Sequence, residues 1–201
     1  MTPAVRAQEP PKAKPPEVVS GAAAQGPAQP PPKVDIAHIK AQADAGVAEA
    51  QVAMAVAYRS GQAGVAKDPK QARAWLEKAG AQQHPAGLRM LGDMYAKGEG
   101  GKTDKKKALE SWQAAEKAGD PFAPILVADQ LFGDISGGKP PGSGKFKIAP
   151  GTPASRMDDI SAWYQEAAKR DPRPDVRQRA ELAVQVLSQI KVGLIKAKHP
   201  N

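Results

Sequence analysis

No cysteine occurs among the 201 residues, which excludes disulfides, a thiol nucleophile and thiolate-bound zinc while leaving the compartment open. Aromatic residues are only 4% of the chain, so a core must be built from alanine, leucine, valine and methionine, whose small side chains let helices approach closely. Histidine is scarce as well: His38, His84 and His199 fall in different predicted elements, and no histidine metal site is expected. No Gly-x-Ser-x-Gly elbow occurs. Gly142-Ser143-Gly144-Lys145 lacks the preceding strand and the Ser/Thr ending of a phosphate loop. Asp158 and Asp159 stand at a helix start, where carboxylates serve the helix dipole. The expectation is a non-enzymatic protein with no catalytic, cofactor-binding or metal-binding residue.

No stretch reaches the roughly 18 apolar residues of a membrane helix. Nothing near the start supplies the apolar core of a signal peptide. Either the protein is cytoplasmic, or its natural precursor carries a signal or anchor ahead of an added Met1. A Pro/Ala-rich spacer favours the second reading, so a periplasmic or otherwise exported protein is expected.

What the chain does have is proline and positive charge. Many of its 20 prolines fall in residues 1–33, where apolar residues are too sparse to offset ordering entropy, and a disordered tether is predicted there. The formal charge of +8 favours acidic partners by long-range attraction. The basic residues are nevertheless scattered, with one small cluster at Lys105-Lys106-Lys107 and no aromatic stacking platform beside them, so nucleic acid is not the expected partner.

The stretch from His84 to Gly119 organises the rest. Pro85 suits a helix's first turn and Gly98 a helix end; Asp104 offers an acceptor to the amides of a second helix, which Gly119 closes. This helical hairpin recurs. Tyr58 to Tyr95 and Gly61 to Gly98 are each 37 apart, and Ala72 to Ala108 and Pro85 to Pro121 are each 36 apart. A two-helix period in the middle thirties is the signature of an α-solenoid.

These residues resemble the Sel-one-like repeat, a relative of the tetratricopeptide repeat. One unit matches at Gly46, Ala50, Tyr58, Gly61, Gly64, Val65, Asp68, Ala72, Trp75, Lys78 and Ala79. The next matches at Leu91, Gly92, Tyr95, Gly98, Gly100, Asp104, Lys107, Ala108 and Ala115, with Ser111 in the tryptophan position and Trp112 beside it. A third matches at Gly119 and Ala123, with Leu131 for the tyrosine, and resumes at Trp163-Tyr164-Gln165-Glu166-Ala167-Ala168. The resemblance covers residues 34–170 and implies an all-α solenoid of about three hairpins.

Within that frame, Val34 to Ala45 reads as the second helix of a truncated leading unit, capped by Asp35. Asp68-Pro69 and Asp120-Pro121 read as helix starts, with aspartate as cap and proline in the first turn. The third unit is interrupted after Asp134 by a loop insertion over about residues 135–155, in which Phe146 and Ile148 are candidates for docking. Ser155 to Asp158 resembles a capping box that restarts the helix. After Asp171-Pro172-Arg173-Pro174, residues 171–201 form a C-terminal capping helix. Val176, Ala180, Ala183, Leu187, Ile190 and Leu194 make its seam. Leu182, Val186 and Ile195 offer a second stripe for a dimer, although a monomer is expected.

The resemblance implies a scaffold that holds a protein or peptide partner in a concave groove lined by the first helix of each hairpin. In the middle unit Arg89, Asp93 and Lys97 fall on one stripe beside the packing residues Leu91, Gly92 and Tyr95. Equivalent positions are Val52, Val56 and Arg59 (or Ser60) before, and Ile125, Asp129 and Phe132 after. Two other readings remain: a cell-wall or polyanion binder using the basic surface, and an immunity protein for a secreted effector.

Overall fold

The computed structural model describes residues 35–141 and 147–198. The tether predicted for residues 1–33, Phe146 of the insertion and His199 lie outside the described residues. Within the unit from Val34 to Asn201, eight helices and no strand occur among the described residues.

Local chemistry sets the helix ends. Asp35, Asp68 and Asp104 hold extended backbone, and their carboxylates accept the first free amides of α1 (Ile36–Asp44), α3 (Pro69–Ala81) and α5 (Lys105–Lys117). His84 does the same for α4 (Pro85–Lys97), its Nδ1 accepting from the Gly87 N–H at 3.1 Å. Both α2 (Ala48–Ser60) and α4 stop at a glycine in the left-handed region, Gly61 at φ 72° and Gly98 at φ 71°, a backbone that glycine adopts without steric cost. The series continues with α6 (Ala123–Ser136), α7 (Ser155–Arg170) and α8 (Pro174–Lys198).

Three local expectations are corrected. Asp120 does not cap a helix at Pro121; its carboxylate accepts from the Phe122 N–H at 2.8 Å, and α6 begins only at Ala123, with a proline in its first turn. The capping box at Ser155 does not form: Ala154 holds the cap position in a helical conformation, without a side-chain bond, and Asp158 instead accepts from Lys191 at 2.7 Å. The third unit's first helix runs past Asp134 to Ser136 before the loop 137–154 departs. That loop returns to the core, where the Ala149 N–H donates to the Ile135 carbonyl at 2.8 Å and Ile148 packs on the main cluster.

Each helix packs on the next in sequence from α1 to α8, giving the hairpins α2–α3, α4–α5 and α6–α7 between single helices. Fully buried alanines at 72 and 79 on α3 and at 108 and 115 on α5 let the helices of the first two hairpins approach closely. One cluster gathers Met54, Trp75, Leu76 and Met94; a larger one gathers Trp112, Phe132, Met157, Ile160, Tyr164 and Leu187. In α8 Val176, Ala180, Ala183 and Leu187 are buried in the larger cluster, with Ile190 and Leu194 against it, so this seam faces the chain's own core.

Arginines bridge the first hairpin to the second. Arg73 on α3 donates to the carbonyls of Met94 at 3.3 Å and Glu99 at 2.5 Å, with its guanidinium 4.6 Å from the centre of the Tyr95 ring. Arg59 on α2 binds the Glu99 carboxylate through Nε at 2.6 Å, which holds that carboxyl below its usual range.

Candidate partner-binding surface

The site grows out of a hydrogen bond that two hairpins share. Asp93 on α4 accepts from the Trp112 indole at 3.1 Å, and Asp129 on α6 accepts from the Tyr164 hydroxyl at 2.7 Å. The aspartates are 36 residues apart, one repeat, and each ties the first helix of a hairpin to an aromatic on the second. Burial pushes the Asp93 carboxyl up against the opposing pull of the Trp112 hydrogen bond. Burial, and then the adjacent Asp129 carboxylate, holds the Tyr164 phenol far above its ordinary value. Arg179 of α8 reaches the other Asp129 oxygen at 3.0 Å, so that one carboxylate joins three helices.

At the start of α6 a second motif meets the first. Arg89 donates to the buried Asp120 carboxylate at 3.0 Å, and its guanidinium lies 5.3 Å from the centre of the Phe122 ring. Arg173 lies 5.1 Å from the same ring and binds Asp171, whose carboxyl is lowered chiefly by that hydrogen bond. Phe122 therefore carries two guanidiniums, each already anchored to its own aspartate.

These residues line a trough over α6, against α4 in one part and α5 in the other. A cavity of about 330 Å³ is lined by Arg89, Asp93, Phe122, Leu126 and Arg173. Another of about 240 Å³ is lined by Lys105, Trp112, Leu126, Asp129 and Gln130, among others. Leu126 lines both, so the two adjoin on α6: one has Arg89, Asp93 and Arg173 beside Phe122, the other Lys105 and Asp129 beside Trp112.

The nine residues expected to line a groove divide sharply. Arg89, Asp93 and Asp129 meet in this trough, each engaged in an internal bond. Ile125 and Phe132 are corrected: at 2% and 0% exposure they belong to the core, packed in the cluster to which α7 and α8 contribute Met157, Ile160, Ala180 and Leu187. Val52 packs half-buried against the first cluster, and Arg59 is committed to Glu99. Val56, 43% exposed, and Lys97 face solvent and line neither cavity. Sequence reasoning missed Phe122, Leu126, Trp112 and Arg173. The signal for Trp112 was available: an aspartate repeated at 36 residues opposite an aromatic on the partner helix.

The family model for the Sel1 repeat matches residues 48–84, 85–120 and 162–172. The first two matches coincide with the hairpins α2–α3 and α4–α5, and the third with the end of α7. These stretches are similar to the Sel1 repeat, and the fold is an α-solenoid of helical hairpins. Proteins of this kind are generally non-catalytic scaffolds that mediate protein interactions. No curated protein matches the chain. A Sel1 repeat protein from Oxalobacter formigenes has a similar crystal structure, with a TM-score of 0.55 and 23% identity over 73% of this chain and 97% of that one. So does c5321, a protective antigen present in uropathogenic Escherichia coli strains displaying an SLR fold, with a TM-score of 0.56 and 20% identity. That match covers 78% of this chain but 33% of c5321, so the chain spans about a third of its length.

Proposed function

We propose that this protein is an exported adaptor that holds an extended segment of a partner protein along the trough over α6, against α4 and α5. The observation that carries the reading is that the two cavities adjoin at Leu126, with Phe122 lining one and Trp112 the other. Apolar anchors of a bound segment would rest on these residues and supply affinity, while the arginine, aspartate and lysine groups would fix its register. Internal pairing of Arg89, Asp93 and Asp129 pre-organises the surface, so little side-chain order is lost on binding. The Pro/Ala-rich composition ahead of the repeats supports a tethered protein outside the cytoplasm.

Photo-crosslinking tests this directly. A benzophenone amino acid at Gln130, on the trough wall, should capture a partner in the native cell. The same group at Lys106, whose side chain is 87% exposed on α5 and lines no cavity described above, should not. Purified partner should then bind Leu126→Gln at least tenfold more weakly than wild type, with helicity retained. Equal capture from both positions, or unchanged affinity of the folded Leu126→Gln variant, overturns the reading.

A further inference from the structure

The largest cavity among those described lies elsewhere, between the second helices of two hairpins. It has a volume of about 680 Å³ and runs between α5 and α7, with Leu109, Leu131 and Trp163 offering apolar surface. Nothing in the trough argument uses it. Two features say what chemistry it would take.

The first is the state of its tryptophan. Of the three tryptophans, Trp75 is buried with the Lys78 ammonium 3.9 Å from its ring centre, and Trp112 gives its indole N–H to Asp93. Trp163 stands in the repeat position of Trp75 but is only half-buried, and its indole N–H donates no hydrogen bond among the described residues. A helix brought to this groove has already satisfied its interior carbonyls. A polyproline II segment has no internal hydrogen bonds and presents free carbonyls beside flat pyrrolidine rings, which suit an aromatic floor with one free donor.

The second is charge. On a chain of formal charge +8, this groove is lined by the carboxylates of Glu116, Asp159 and Glu166 and by the cation Arg156, with Glu116 already held by Arg170 at 2.7 Å. The Asp159 side chain is 65% exposed, and its nearest cation, Arg156, is 4.0 Å away, so it is open to a further partner. Glu166 meets only Lys169, on the same helix, at 3.1 Å. Asp159 is thus the lining carboxylate that has room for a basic side chain of a ligand.

We infer that the α5–α7 groove binds a proline-rich segment carrying lysine or arginine, held in polyproline II geometry against Trp163 with a basic side chain on Asp159. The probe is a synthetic peptide, acetyl-Pro-Pro-Lys-Pro-Pro-Lys-Pro-amide, titrated into the full chain while the three indole N–H resonances are followed by NMR. Expected is a saturable shift of the Trp163 resonance with Trp112 and Trp75 unmoved. Replacing every proline of the peptide by alanine should weaken binding at least tenfold, and replacing both lysines by glutamate should abolish it. The protein variants Trp163→Phe, which keeps an aromatic face and loses the donor, and Asp159→Lys, at an exposed position, should each weaken binding several-fold by isothermal titration calorimetry, with helicity intact.

An alanine peptide that binds as well as the proline peptide would make the groove a helix receptor and overturn the inference. So would a shift of Trp112 in place of Trp163, or no shift of any indole at millimolar peptide. Because Trp112 floors the trough and Trp163 the groove, the same spectra separate this inference from the trough proposal, and either can fail alone.

Discussion

The second and third hairpins solve one packing problem in two ways. In α4–α5 the aromatic tied to the aspartate is Trp112, and the helix facing it carries Gly92. A Cβ on that glycine would stand 2.5 Å from the indole and 3.0 Å from the Ala108 carbonyl oxygen. In α6–α7 the aromatic is Tyr164, and the residue one repeat on from Gly92 is Ala128, fully buried. In α2–α3 the corresponding pair is Leu76 with Ala55. The largest of the three, Trp112, is thus met by glycine, and the other two by alanine. The Sel1 pattern tolerates a displaced tryptophan at Ser111–Trp112 because Gly92 makes room for it.

Variants can break this correspondence. The largest effect is expected from Tyr164→Ala, which empties a fully buried aromatic site joining α6, α7 and α8 and should cost about 3–5 kcal/mol, read as the free energy of urea unfolding. Next is Gly92→Ala, which should cost about 1–3 kcal/mol through overpacking against Trp112. Adding Trp112→Leu, as in the first hairpin, should make the double variant more stable than the sum of the two single losses by about 1 kcal/mol. A strictly additive cycle would separate the glycine from the tryptophan and dissolve the pairing.

The two aspartates sharpen the contrast further. Asp129 has Arg179 as well as Tyr164, so Asp129→Asn should cost about 1–2 kcal/mol at neutral pH by weakening charge-assisted bonds. Asp93 is raised by burial, so its ionised form is disfavoured in the fold. Its contribution is fully present below the unfolded carboxyl value and is lost as pH rises through the raised one. Asp93→Asn should therefore leave stability within about 0.5 kcal/mol of wild type or above it at pH 7, and the comparison should turn toward wild type as pH falls below about 4. Glu99 and Asp171 run the other way: their carboxyls are lowered by Arg59 and Arg173, so the stability they add is present above the unfolded values and is lost as pH falls through the lowered ones. A melting-temperature series from pH 7 to 3 on wild type and Asp93→Asn reads both signs.

The smallest effect concerns the turn that enters each hairpin. Gly46 and Gly119 hold left-handed backbone at φ 96° and 99°, but the equivalent residue before α4 is Gln83, at φ 57°. Its side chain is exposed, so Gln83→Gly relieves only backbone strain and should raise stability by about 0.5 kcal/mol. A loss of stability would mean that the glutamine contributes something glycine cannot.

The repeat architecture was legible because its signals are local. Asp68 before Pro69, Asp104 before three lysines, and Gly98 after Lys97 each act within one turn of backbone, and the structure places helix ends at all of them. Legibility failed where a side chain had a distant competitor. Asp120 is drawn away from capping by Arg89, 31 residues earlier, and Asp158 by Lys191, 33 residues later. The same reason governs the site. Transferring the α4 stripe to α6 at an offset of 36 or 35 residues found Asp129 but also chose Ile125 and Phe132, because a stripe describes one helix and does not show that α7 and α8 complete a core around it. Phe122 and Arg173 could not be paired from sequence, since 51 positions and the loop insertion separate them.

Arg73 gives the array a mechanical property. Its guanidinium spans from α3 to the carbonyls that end α4, and Arg59 grips the same turn through Glu99, so the joint between the first two hairpins is braced by polar bonds at its rim as well as by apolar contact beneath. A load pulling the solenoid apart from its N-terminal end must shear these short, directional bonds together before the apolar faces part. The joint should therefore behave as brittle, holding to a threshold and then yielding at once, rather than creeping open.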